Sequence, residues 1–111
     1  MNKDKKLKKL FEFYNRRYFS NRLVMPHEIS FKSDLRSGKH KCAGLAIIFP
    51  DNTTALRIDK KLIEFNKLTR TVLLHEMAHI SAGLESDEEH NFRWGAEIDR
   101  LYREGAYDEL L

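Results

Sequence analysis

The chain has 111 residues, of which 41% are apolar and 33% charged, an ordinary composition for one globular domain. Its one cysteine excludes an intramolecular disulfide, and no apolar run reaches the roughly 20 residues that a membrane span needs. These features predict a single domain over residues 1–111 that works in a reducing compartment, the cytoplasm, without a membrane.

The net charge of +3 is unevenly distributed along the chain. Residues 1–41 carry 12 Lys/Arg and 4 Asp/Glu, a charge of +8, whereas residues 42–111 carry 8 and 13, a charge of −5. The basic N-terminal half has two interpretations: it binds a polyanionic partner such as DNA, or it is a lysine-rich helix face in solvent. No base-stacking motif accompanies the lysines.

The first half of the chain predicts one helix followed by three short strands. Apolar residues at helical spacing place the helix at about residues 4–20, and Asn21 and Pro26 end it. The predicted strands are EISFKS (28–33), CAGLAIIF (42–49) and ALRI (55–58). RSGKHK (36–41) is predicted as a turn, and Asp59 as the cap of a short helical turn.

The second half predicts two helices. The first carries TVLLHEMAHISAG (71–83), with Thr69 as its N-cap and Gly83 as its C-terminal stop. The second covers about residues 90–104 and ends at Gly105. The order of helix, three strands, helix and helix predicts an α+β domain.

His75, Glu76 and His79 form the pattern His-Glu-x-x-His in the first of these helices. Residues four apart lie on one helix face, so both imidazoles can bind one ion at about 2.0–2.1 Å. Glu76 is turned by about 100° from His75 and can reach a water on that ion. The pattern is typical of zinc metallopeptidases, where the glutamate is the general base. The alternative is a pair of buried, hydrogen-bonded histidines.

A catalytic zinc normally has three protein ligands and one open position. His90 is the best candidate for the third ligand, because it lies eleven residues after His79 across a loop that can reverse the chain. Glu97 is the rival candidate, which would give a site of two histidines and one glutamate. The sequence leaves this choice open.

Two other features of a peptidase site also stay open. An extended substrate would pair with an edge strand, and either AGLAIIF (43–49) or TALRID (54–59) could be that edge. A side chain that stabilises the oxyanion is expected, and Tyr102, Arg103 and Tyr107 are available.

These residues resemble a known family. LFEFYNRRYFSNRL with Tyr14 and Asn15, then LLHEMAHI, then His90 with Trp94 four residues later, is similar to the SprT-like (Spartan-type) metallopeptidase domain. The resemblance implies a zincin-like fold, one zinc ion and endopeptidase activity. In the best-known members it also implies action on proteins bound or crosslinked to DNA. Trp94 is expected to lie in the core below the zinc site.

We therefore expect a zinc-dependent endopeptidase that acts on a protein or peptide substrate. His75, His79 and His90 are the predicted ligands of one zinc ion, and Glu76 is the predicted general base. Two other functions compete with this one: a metal-stabilised nucleic-acid-binding module without peptidase activity, and an effector peptidase with one specific protein target. The oligomeric state stays open.

Overall fold

The computed structural model describes residues 3–83 and 92–110. Its helices are α1 (Lys3–Tyr18), a 3₁₀ helix (Lys60–Leu62), α2 (Asn66–Ala82) and α3 (Phe92–Arg103). Its strands are β1 (Glu28–Lys32), β2 (Arg36–Ser37), β3 (His40–Lys41), β4 (Gly44–Ile48) and β5 (Thr54–Asp59). This order confirms the predicted α+β class. None of the described helices combines the length and apolar composition of a membrane-spanning segment.

The main sheet has three strands in the order β1-β5-β4, so β5 is the central strand. β1 runs parallel to β5, with Glu28 opposite Ala55, and β4 runs antiparallel to it, with Gly44 opposite Ile58. The segment TALRID is therefore paired on both sides. Of the two predicted candidates for a substrate-pairing edge, β4 alone lies at an edge of this sheet.

Residues 36–41, predicted as a turn, form a small hairpin instead. β2 and β3 pair antiparallel, with Arg36 opposite Lys41 and Ser37 opposite His40. Gly38 takes a positive φ of 63°, which a glycine adopts without strain and which the tight reversal requires.

The core lies between α1, α2 and the inner face of the main sheet. Apolar side chains at helical spacing on the helices meet those at alternate positions on the strands. The largest fully buried side chains are Leu7, Phe11, Tyr14, Phe19, Leu56, Ile58, Leu73, Leu74, Met77 and Leu101. Each contributes about 1.5–3 kcal/mol of transfer free energy relative to an exposed position, so this cluster fixes α2 on the sheet.

Tyr14 and Asn15, which carried part of the family resemblance, form hydrogen bonds that connect elements of the fold. The Asn15 amide is buried; it donates to the backbone oxygen of Leu23 at 2.8 Å and accepts from the Leu23 N–H at 3.1 Å. The Tyr14 hydroxyl accepts a hydrogen bond from Nε of Arg70 at 2.7 Å. These contacts connect α1 to the loop after it and to α2.

The start of α2 differs from its prediction, and its end agrees with it. Thr69 lies inside the first turn, where its hydroxyl donates to the backbone oxygen of Leu62 at 2.6 Å, so its prediction as the N-cap was wrong. The preceding 3₁₀ turn supplies that acceptor and allows the helix to begin earlier. Gly83 follows the last helical residue with a positive φ of 80°. Asp59 caps the 3₁₀ helix by accepting from the Lys61 N–H, as predicted.

Candidate active site

Helix α2 presents different surfaces around its axis. Four of its side chains are fully buried and hold the helix in the core: Leu73, Leu74, Met77 and Ala78. His75 and His79 lie one turn apart and are half-buried. The core contacts therefore determine how the helix is rotated, and this rotation presents both imidazoles at the protein surface.

The two imidazoles and the glutamate between them lie together. The ring centroids of His75 and His79 are 5.0 Å apart, with 67° between the ring planes. Oε2 of Glu76 lies 4.0 Å from Nε2 of His75, and the Glu76 side chain is only 8% exposed. Imidazole nitrogens suit zinc, and this separation fits two positions of a tetrahedral site with bonds of about 2.0–2.1 Å. The residues present therefore fit a zinc ion.

Trp94 of α3 supports these rings from one side. Its ring stacks on His79, with centroids 5.4 Å apart and planes at 24°, and meets His75 edge-on at 5.0 Å. Its Nε1 donates a long hydrogen bond of 3.4 Å to the backbone oxygen of His75. Trp94 also packs against the core, as expected, but its contact with both imidazoles could not be read from its spacing in the sequence.

The edge strand β4 lies beside the Glu76 side of the helix. A cleft of about 110 Å³ opens beside the contact between the two elements, and its lining residues are Ser37, Gly44, Leu45, Ala46, Ile48, Glu76 and His79. Gly44 was not identified as part of this site from the sequence, where the only signal is the general rule that a glycine inside a strand can mark a close approach. The cleft thus combines a carboxylate, an imidazole and a strand edge.

The predicted third ligand, His90, lies outside the described residues. Within residues 3–83 and 92–110, no three His, Cys, Asp or Glu side chains are arranged to hold a metal ion. The rival, Glu97, is described and is bound elsewhere: its carboxylate accepts from Ser81 at 2.7 Å and from Arg100 at 3.0 and 3.2 Å. Burial alone would raise the pKa of Glu97, but these hydrogen bonds outweigh it and the pKa is lowered.

The three candidates for an oxyanion donor do not line the cleft that the described residues form. Tyr107 belongs to the core, where burial raises its pKa to about 12. Tyr102 is 60% exposed, and Arg103 forms an ion pair with Asp99 at 3.0 Å. None of the three lines the cleft among the residues with described positions.

Fold and site together define an α+β domain whose buried helix α2 presents a His-Glu-x-x-His pattern beside an edge strand. The chain belongs to the SprT-like family, whose model matches residues 7–106. This match confirms the resemblance inferred from the sequence, and it points to a metallopeptidase-like domain. Comparison with curated proteins and with solved structures found no match.

Proposed function

We propose that this protein is a zinc-dependent endopeptidase. The observation that carries the proposal is the arrangement at the cleft: the largely buried Glu76 carboxylate lies beside two half-buried imidazoles and beside the edge strand β4. A divalent cation on His75 and His79 would add positive charge beside this carboxylate, which suits a base that acts on a water held by the ion. Membership of the SprT-like family supports the same activity.

Each residue of the site has a role in hydrolysis. His75 and His79 would hold the ion, which when bound acts as a Lewis acid and lowers the pKa of a water ligand to about 7. Glu76 would take a proton from that water and later pass it to the leaving amine. Trp94 would hold the two imidazoles in orientation through its ring contacts.

The free side of β4 is suited to pair with an extended substrate. Antiparallel strands exchange hydrogen bonds at alternate residues, and Ala43 and Phe49 are bonded to the β5 side. By this alternation Gly44, Ala46 and Ile48 direct their backbone N–H and C=O groups away from β5. No further strand of the described residues covers that side. A peptide strand added there would lie along the cleft that contains Glu76.

The surface beyond Ile48 extends this groove. Ile48 also lines a second cavity of about 500 Å³, whose walls include Leu23, Val24 and Ile80. A substrate antiparallel to β4 would place the residues before the scissile bond at this end. We therefore propose that apolar side chains on the N-terminal side of the scissile bond are preferred.

We propose His90 as the third zinc ligand. The carboxylate of Glu97 is already bound by Ser81 and Arg100, which argues against its use as a ligand. Zinc content measured on His90→Ala and on Glu97→Ala separates the two: His90→Ala should lose zinc and Glu97→Ala should retain it. Zinc loss only in Glu97→Ala would reverse the assignment.

We propose DNA as a partner because of the basic surface of helix α1. Helix α1 carries seven basic side chains, all exposed: Lys3, Lys5, Lys6, Lys8, Lys9, Arg16 and Arg17. Such a surface binds phosphates in a salt-dependent way, and it would bring the peptidase to proteins on DNA. Binding of single-stranded DNA should weaken steeply with salt, and binding that does not change with salt would argue against it.

Removal and return of the metal tests the peptidase proposal. The purified protein should contain about one zinc per chain and should cleave an unfolded protein such as casein. A chelator should stop cleavage, and added zinc should restore it. DNA binding without any cleavage would favour the nucleic-acid-binding module, and cleavage of one target alone would favour the effector peptidase.

A further inference from the structure

Gly44, the first residue of β4, lies unusually close to α2. A Cβ built on its backbone would overlap Cγ1 of Val72 and would lie 3.0 Å from Oε2 and 3.1 Å from Cγ of Glu76. Gly44 has no positive φ, so conformation does not demand a glycine here. The requirement is space between the strand edge and the carboxylate.

The neighbours of Gly44 differ in how easily they can move. Val72 is β-branched and therefore has one strongly preferred χ1 rotamer in a helix. The backbone of α2 is fixed by the fully buried Leu73 and Met77. The carboxylate of Glu76 is the end of a flexible side chain, so it is the group that a Cβ at position 44 would displace.

We propose that Gly44 is a positioning residue for catalysis. Its missing side chain sets the separation between the free edge of β4 and the Glu76 carboxylate, and so between a paired substrate and the general base. Gly44 also directs its own backbone N–H and C=O groups to that edge. The same residue therefore borders both the paired substrate and the Glu76 carboxylate. This inference rests on the proposed peptidase function and adds a residue to its site.

A second variant separates positioning from simple overlap. Gly44→Ala alone should lower stability because of Val72, so the decisive protein is Gly44→Ala/Val72→Ala, which removes the overlap, compared with Val72→Ala. The double variant should match Val72→Ala in melting temperature and zinc content. Its kcat should be about 10–100-fold lower at a similar KM, since small displacements of catalytic groups have effects of this size.

Crystal structures of these two variants give a readout that does not depend on activity. In the double variant the Glu76 carboxylate should be displaced from its position in Val72→Ala, with β4 unmoved. A carboxylate in the same place, or an unchanged kcat with folded protein, would overturn the inference. Absence of cleavage by both the wild type and Val72→Ala would instead overturn the peptidase function, and the carboxylate position would still decide the role of Gly44.

Discussion

The two edges of the main sheet, β1 and β4, differ in the groups that lie beside them. At the β1 edge, the Phe31 N–H donates to the Asp4 carboxylate of α1 at 3.0 Å. At the β4 edge, no further strand of the described residues pairs with the outer side, and the strand borders the cleft lined by Glu76. Helix α1 thus occupies a backbone N–H at the β1 edge, whereas the β4 edge borders the candidate site.

Unpaired strand edges favour unwanted association, and proteins commonly block them with charges or by covering them. The β1 edge follows this rule through Asp4 and through the nearby pair of Glu28 and Arg57, bonded at 2.9 Å. The β4 edge, which no further strand of the described residues covers, lies beside a carboxylate and two imidazoles, and this location indicates a use. Changes at the β4 side should therefore affect catalysis, and changes at the β1 side should affect stability alone.

The largest effect is expected at the proposed metal ligands on the β4 side. His79→Ala should weaken zinc binding by more than about 100-fold and abolish cleavage, because one of the ligands is lost. His27→Ala, next to β1, is the matched control; its backbone N–H, which bonds Thr54 at 2.8 Å, is unchanged by the substitution. Zinc content by elemental analysis checks both, and equal zinc in the two variants would contradict the site.

The next largest effect is expected at the outer edge of β4. Ala46→Pro removes one outward N–H without removing a bond to β5, so a substrate carbonyl would lose its donor. An unsatisfied carbonyl costs about 1–3 kcal/mol, which corresponds to a decrease of about 10–100-fold in kcat/KM. Steady-state kinetics with a fluorogenic peptide measure it, with the melting temperature as a check on folding. An unchanged kcat/KM would show that substrate does not pair with β4.

A smaller effect is expected at the β1 edge. Asp4→Ala removes the charge-assisted hydrogen bond to Phe31, so it should lower the free energy of unfolding by about 1–2 kcal/mol. Urea denaturation measures the loss. The kcat/KM should stay within error of the wild type, and a clear loss of turnover in this variant would break the distinction between the edges.

The smallest effect is pH-dependent. Hydrogen bonds from Arg57 and Ser30 lower the pKa of Glu28 from 4.5 to about 2. Because the folded-state pKa is depressed, this stabilisation is complete above about pH 4.5 and is lost as the pH falls through 2. Glu28→Gln should cost about 1 kcal/mol at pH 7, after allowance for solvent screening.

That difference between Glu28→Gln and the wild type should disappear near pH 2. Glu12→Gln, at an exposed position on α1, serves as the control and should match the wild type at both pH values. A constant difference across the acid range would mean that the Glu28 carboxylate is not the source of the stabilisation.

The features predicted best from sequence depend on neighbours along the chain. The His-Glu-x-x-His geometry follows from helical periodicity alone, and Asp59 caps its turn through a bond to Lys61, two residues away. Thr69 was predicted wrongly because its acceptor, Leu62, lies in the preceding turn and the helix begins before it. Local propensity gives the type of element more reliably than its first residue.

The features that could not be predicted depend on pairing between distant segments. Strand order decides whether residues 43–49 or 54–59 form the edge, and periodicity carries no information about order. The contact between Gly44 and Glu76 spans 32 positions and exists only because β4 packs on α2. His90 remains a prediction, because it lies outside the described residues.

The central claim is that the Glu76 carboxylate acts as the general base at a zinc site on α2. Its most direct test is single-turnover cleavage of an unfolded protein by Glu76→Gln, at a zinc content equal to that of the wild type. The amide preserves the size and polarity of the side chain but accepts no proton, so the rate should fall by about 10²–10⁴-fold. A rate close to that of the wild type, with zinc in place, would contradict the account.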